Sequence, residues 1–191
     1  MRRVILQQFA TADNFAAGPD GEIDFIMSLQ GKYRSDIDKD SLDFIDSIDT
    51  ILLGRVTYQM FADFWPNATT ETDPIADKLN ATPKVVFSKT LEAAPWGKWD
   101  EPRIVKSDAV EEIKNLKRQS GKDMVVWGSI SLSHSLINTG LVDEYQFRVM
   151  PVFMGKGMSA LPADVSTVNF NLIESKVYES GMALLRYQPT N

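Results

Sequence analysis

The sequence predicts an α/β protein: a three-layer αβα arrangement around a mixed, mostly parallel sheet that ends in an antiparallel strand pair. Three observations carry this expectation. As far as Gly140, short apolar runs alternate with amphipathic, helix-like stretches. Beyond Gly140, strand-like runs follow one another, the last two separated only by the turn at Ser180-Gly181. No repeat, low-complexity tract or Gly/Ser-rich linker interrupts the chain, so residues 1–191 read as a single domain.

Each element has its own signal. Val4 to Ala10 is an apolar run of strand length, and "GPDG" from Gly18 to Gly21 is turn chemistry. A loop continues through Tyr33. From Asp36 to Asp49, Ile37, Leu42, Ile45 and Ile48 recur at helical spacing among six aspartates, giving one core face and one solvated face. A strand at Thr50 to Leu53 leads to a helix from Arg55 to Phe64, then a helical stretch near Pro74 to Asn80 that Pro83 stops. Lys84 to Phe87 and Arg103 to Lys106 read as short strands. Asp108 to Gln119 reads as a helix with Asp108 as N-cap, basic residues in its last turn and Gly121 beyond it. Val125 to Trp127 is a strand that breaks at Gly128-Ser129 and turns at once into a helical run. Glu144 to Pro151, Asn171 to Glu179 and Met182 to Gln188 are the closing strands.

Composition excludes several function classes. With 43% hydrophobic and 24% charged residues the chain is an ordinary globular one. The apolar run near the N-terminus, Val4 to Leu6, is too short for a signal peptide or a membrane span, so a cytoplasmic protein with no membrane partner is expected. The absence of cysteine removes disulfides and thiolate metal sites, and a single histidine, His134, argues against a His-based metal centre; no metal is expected. The net charge of −6 argues against a nucleic-acid partner while allowing a local basic pocket.

In open α/β sheets, ligands gather beyond the carboxyl ends of strands, where helix N-termini and loop amides converge. Three strand ends here carry groups suited to phosphate oxygens. "GRVTY" from Gly54 offers a close backbone approach, a guanidinium and a hydroxyl. "SKT" from Ser88 offers two hydroxyls and an ammonium, and "GSIS" from Gly128 opens a helix. Singly, each has a plain structural explanation: the glycines end strands, Arg55 pairs with a surface acid, Lys89 is solvated. Together they point to a phosphorylated cofactor.

The segments "ATADNFAAGPDGEIDF", "LLGRVTY", "VVFSKTL" and "VVWGSISLSHSLINTGLVDEYQFRVMPVFMGKG", in this order and spacing, resemble the reductase domain of the bifunctional riboflavin-biosynthesis deaminase-reductase. That domain is a branch of the dihydrofolate reductase-like fold, and the resemblance, which runs from Val4 to Tyr187, is to its stand-alone members. It implies a sheet of about eight strands, bound NADPH, and hydride transfer to a small, often heterocyclic substrate, as in an aminouracil reductase or a dihydrofolate reductase. It also implies a homodimer, for which the apolar series near "YQFRVMPVFM" is the expected surface. The resemblance puts Arg55 and Thr57 at phosphate-contacting places, with Gly54 and Val56 completing that turn. Ser88 and Lys89 fall beside the adenosine 2′-phosphate, and Gly128, Ser129, Ile130 and Leu132 along the pyrophosphate. The backbones of Ala10 and Ala17 fall at the nicotinamide carboxamide. Dihydrofolate reductases carry consecutive glycines where this chain has Gly128-Ser129, so a hydroxyl is gained there. The usual Ser-x-Asp-Gly after the first strand is here Thr11-Ala12-Asp13-Asn14.

Reduction of a carbonyl or C=N bond needs a proton besides the hydride. Asp24, between Ile23 and Phe25, is the first candidate, because partial burial would raise its pKa; a helix cap is its plain alternative. Asp13 is the second, with an Asx-turn as the alternative. His134, one helical turn beyond the Gly128 junction, reads as structural. The substrate pocket is expected between the Phe15 to Tyr33 loop and the side chains of Phe61, Phe64 and Trp65. A dinucleotide-binding protein without turnover is the alternative reading.

Overall fold

The computed structural model describes residues 1–27 and 35–190. Among the described residues ten strands form: β1 (Val4–Thr11), β2 (Phe15–Ala17), β3 (Ile48–Gly54), β4 (Lys84–Phe87), β5 (Arg103–Val105), β6 (Asp123–Trp127), β7 (Glu144–Met150), β8 (Met158–Ser159), β9 (Phe170–Val177) and β10 (Ala183–Pro189). The helices are α1 (Asp24–Met27), α2 (Ser35–Ser47), α3 (Arg55–Phe64), α4 (Ala76–Ala81), α5 (Ala109–Arg118) and α6 (Ile130–Ile137), with a 3-10 turn at Trp65–Asn67. Eight strands make one sheet in the order β5-β4-β3-β6-β1-β7-β10-β9, and β2 pairs with β8 apart from it. From β5 to β7 every pairing is parallel, while β10 runs antiparallel to both β7 and β9. The expected mixed sheet with an antiparallel end is therefore the observed one.

The inner strands read as continuous apolar runs because both sheet faces are covered. Leu6, Leu52 and Val126 join Ile113 and Leu136 in one buried cluster beneath α5 and α6. The alternate residues Ile5, Ile51, Leu53 and Val125 join Ile45, Tyr58, Leu79 and Trp96 on the other face. Helix α5 starts as its sequence predicts: the Asp108 carboxylate accepts the Glu111 amide at 3.0 Å.

Three expectations shift. Ile48 and Asp49 belong to β3, not to the preceding helix, because the β-branched Ile48, Thr50 and Ile51 pair with β6. Asp49 is thus no wet helix residue: it forms an ion pair with Arg2 and accepts the Lys122 amide at 2.7 Å. The third is the proposed interface series. Tyr145 to Met150 lie in β7, between β1 and β10, so this strand offers no free edge. Of the series, Val152 and Phe153, beyond β7, are exposed, and further exposed apolar side chains lie on edge strand β9, at Leu172, Ile173 and Val177.

Candidate active site

The parallel strands all deliver their carboxyl ends to one edge, and the three predicted strand ends meet there on the neighbouring strands β4, β3 and β6. Gly54 and Ser129 lock two of them together: the Gly54 amide donates to Ser129 Oγ at 2.9 Å, and Thr57 Oγ1 donates to the Gly128 carbonyl at 3.3 Å. Gly128 has φ +61°, a backbone that favours glycine, and a Cβ built there would touch nothing within 4 Å. Ser129 stands at the N-cap of α6 without capping it, because its hydroxyl serves Gly54. The first-turn amides of α6 are thereby left without a side-chain cap, which is the local chemistry of an anion seat. The hydroxyl gained at Ser129 ties two strands by accepting the Gly54 amide, while its own proton faces the Trp127 carbonyl at 3.5 Å.

Around this seat, Arg55 is exposed at the first position of α3, its Nη1 3.3 Å from Gln59 Oε1, and Val56 is exposed beside it. Lys89 is exposed, whereas the buried Ser88 hydroxyl accepts the amides of Thr90 at 3.3 Å and Leu91 at 3.1 Å and so shapes its own loop. Leu132 is buried in the core, so only its backbone lies toward the seat. At the other end, Ala10, Ala16 and Ala160 form a small buried cluster with Ile130 against it, and Ala17 is also buried. Gly157, φ +156°, lies under Ala17: a Cβ there would come within 2.3 Å of the Ala17 carbonyl oxygen. The residues present therefore fit a dinucleotide, with small side chains and open backbone where a flat ring and a pyrophosphate need room.

Gly128 also borders a cavity of about 410 Å³. Phe61, Phe64 and Trp65 line it as expected, joined by Phe9 and Trp127. Phe61 meets Trp127 and Trp65 with ring centroids 6.3 and 6.1 Å apart. From the expected loop, Ala16, Ile23 and Ile26 contribute, while residues 28–34 lie outside the described residues.

The acids fall differently from expectation. Asp24 opens α1 but is exposed and does not line the cavity, so the partial burial expected of it is not there. Asp13 is tied down: it accepts Thr11 Oγ1 at 2.6 Å, the Met154 amide at 3.0 Å and the Gly155 amide at 2.7 Å. The Thr11 hydroxyl and these amides hold its carboxyl below the usual range, which suits a loop clasp better than a proton donor. Asn14, next to it, adopts φ +67°, the left-handed conformation the family's glycine would take. His134 Nε2 lies 3.1 Å from the Ser159 carbonyl and ties α6 to β8. The carboxylates that do line the cavity are Asp38, on α2, and Asp73. Asp38 was hidden among six similar aspartates; its one signal is that it follows Ile37, which lines the same cavity. Among the described residues, no group of three His, Cys, Asp or Glu side chains is placed to hold a metal ion. No helix among them is long and apolar enough to cross a membrane.

Comparison with known proteins fits this geometry: the RibD C-terminal domain family matches residues 2–184. The chain belongs to the RibD C-terminal domain family. Among its relatives, uncharacterized protein YyaP of Bacillus subtilis (strain 168) is 30% identical over 188 residues, 97% of this chain and 94% of that one. A Shewanella sp. PV-4 protein named for riboflavin biosynthesis superposes with a TM-score of 0.79 at 21% identity, covering 99% of each chain. The deaminase/5-amino-6-(5-phosphoribosylamino)uracil reductase of Thermotoga maritima gives 0.68 at 17% identity, over 99% of this chain and 57% of that one. Dihydrofolate reductase from Enterococcus faecalis, complexed with NADP(H), gives 0.63 at 12% identity, over 99% and 97%. The RibD C-terminal domain fold is thus dihydrofolate reductase-like here.

Proposed function

We propose that this protein is an NADPH-dependent reductase of a small, flat heterocyclic or carbonyl compound. The observation that carries the reading is the position of Gly128: one turn ends β6, opens the uncapped α6 and borders the aromatic cavity. A dinucleotide whose phosphates rest on α6 has its reactive ring directed toward that cavity. Arg55 and Lys89 bind the 2′-phosphate in this reading, the amides of Ile130 and Leu132 the pyrophosphate, and the backbones of Ala10 and Ala17 the carboxamide. The cofactor supplies the hydride when bound. Asp38 supplies the proton in this reading, because it is a carboxylate that lines the cavity. The aromatic walls orient a flat substrate and exclude water from it. Exposed apolar residues on β9 make a homodimer the expected assembly.

The test is a titration of wild type and Arg55→Ala with NADPH and NADH at fixed low salt. Charge-assisted hydrogen bonds to a phosphate are worth roughly 1.5–3 kcal/mol, so NADPH should bind at least about tenfold tighter than NADH. Arg55→Ala should remove most of that preference. Equal wild-type affinities would contradict the 2′-phosphate contact, and no binding of either would remove the reading. Neither of the two acids first expected for the proton reaches the cavity, which favours the second reading, a dinucleotide-binding protein without turnover. NADPH binding with no loss of its absorbance across pterins, aminopyrimidines and quinones would support that one.

A further inference from the structure

The cavity holds a charge that the proposed hydride transfer leaves unexplained. Arg148, near the end of β7, lines it and is only 5% exposed. Its register partners in the sheet are Phe9 on β1 and Leu184 on β10, so neither neighbouring strand answers its charge. The guanidinium carbon sits 5.4 Å from the centre of the Phe9 ring. Both Nη atoms are 3.4 Å from Ser41 Oγ, at the outer limit of a hydrogen bond, and the buried Nε has no acceptor among the described residues. Asp40, the acid on the same helix as Ser41, is committed elsewhere. It accepts Lys176 Nζ at 2.8 and 2.7 Å and Tyr178 Oη at 2.7 Å. Asp40 and Asp73 act on Arg148 only through longer-range attraction, which works against the burial that lowers its pKa.

A buried guanidinium whose hydrogen bonds both reach one hydroxyl at 3.4 Å is costly, and an aliphatic side chain of similar volume would suit Phe9 and Leu184 better. Arginine keeps its proton under all ordinary conditions, so the charge persists. Its planar fork matches a carboxylate with two parallel N–H···O bonds, and much of the remaining wall is aromatic and aliphatic, although the acids Asp38 and Asp73 line the same cavity. We infer that the cavity takes a flat aromatic substrate bearing a carboxylate, which Arg148 binds while Phe9, Phe61 and Trp127 enclose the ring. The inference rests on the reductase reading for what happens to the ring, but not for the binding itself.

The experiment is calorimetric titration with naphthoate and with naphthamide, which share shape and differ in charge. Wild type should bind the carboxylate at least about tenfold more tightly, one charge-assisted pair's worth of discrimination. Arg148→Met should abolish that preference while leaving the amide's affinity within about twofold, and Arg148→Lys should keep part of it. Equal binding of the two probes by wild type, or binding of neither at millimolar concentration, overturns the inference without any variant having to fold. NADPH titrated into the same samples separates the two ideas. Carboxylate preference without NADPH binding removes the reductase reading alone, whereas NADPH binding without carboxylate preference removes this one alone.

Discussion

The amide of Gly54 and the hydroxyl of Ser129, 2.9 Å apart, join the ends of two adjacent parallel strands across 75 residues of sequence. This bond sets the spacing between the turn that leads into α3 and the turn that leads into α6. Ser129→Ala removes the acceptor of a part-buried amide, which costs about 1–3 kcal/mol of stability. The urea midpoint should fall accordingly, and NADPH affinity should weaken severalfold as the two turns loosen. An unchanged midpoint would mean that water replaces the hydroxyl without cost.

Asp38→Asn should lower turnover by about 10²–10⁴-fold with NADPH affinity unchanged, since a carboxamide of the same shape has no proton to give. Asp24→Asn should leave turnover at the wild-type rate, because Asp24 is exposed and lies off the cavity. Steady-state rates on any accepted substrate decide between the two acids. A large loss in Asp24→Asn together with a normal Asp38→Asn would reverse the assignment.

Much of the fold was legible because punctuation and periodicity agreed. Gly54 and Pro83 mark strand boundaries, and α3 and β4 begin and end where the pattern puts them. The end of α2 was not legible, since Ile48 continues the helical spacing of Ile45 while also leading into the β-branched Thr50 and Ile51; pairing with β6 decides it. Strands β2 and β8, three and two residues long, exist only because distant segments meet, Phe15 with Ser159 and Ala17 with Met158. The edge proposed for the cofactor was visible as three separate strand ends. Which of six aspartates faces the cavity was not, because that depends on how α2 docks. Arg148 was equally hidden, since a polar residue between Phe147 and Val149 looks like ordinary strand alternation.

Asp40 gives the protein an acid-sensitive bond. Burial pushes its carboxyl up, but hydrogen bonds from Lys176 and Tyr178 and the nearby charges outweigh this and hold it below the usual range. With the folded value below the unfolded one of about 3.9, its contribution is complete above the unfolded value and is lost as pH falls through the folded one. Urea denaturation from about pH 6 to about pH 3 should therefore show Asp40→Asn less stable at the upper end, with the gap closing toward the lower. A gap independent of pH would show that the hydrogen bonds matter and the charge does not.

Strand β9 is the outermost strand on its side of the sheet and is exposed along nearly its whole length, with Leu172, Ile173 and Val177 among the exposed side chains. Long apolar edges are ordinarily covered. Light scattering at micromolar concentration should give twice the mass of one chain, and Leu172→Lys with Ile173→Glu should return it to the mass of one. A single-chain mass for wild type would leave β9 as a bare edge and remove the homodimer.

Strand β1 is the seam of the sheet, paired from Val4 to Met124 on one side and from Ile5 to Glu144 on the other. Val4, Ile5 and Leu6 leave the ribosome more than a hundred residues before the two strands that shelter them. Such long loops must close before any pairing rewards them, so folding is slow compared with helical proteins of this size. For most of its synthesis the nascent chain carries an apolar strand with two open edges, a template for association with other nascent chains and a natural target for holding chaperones.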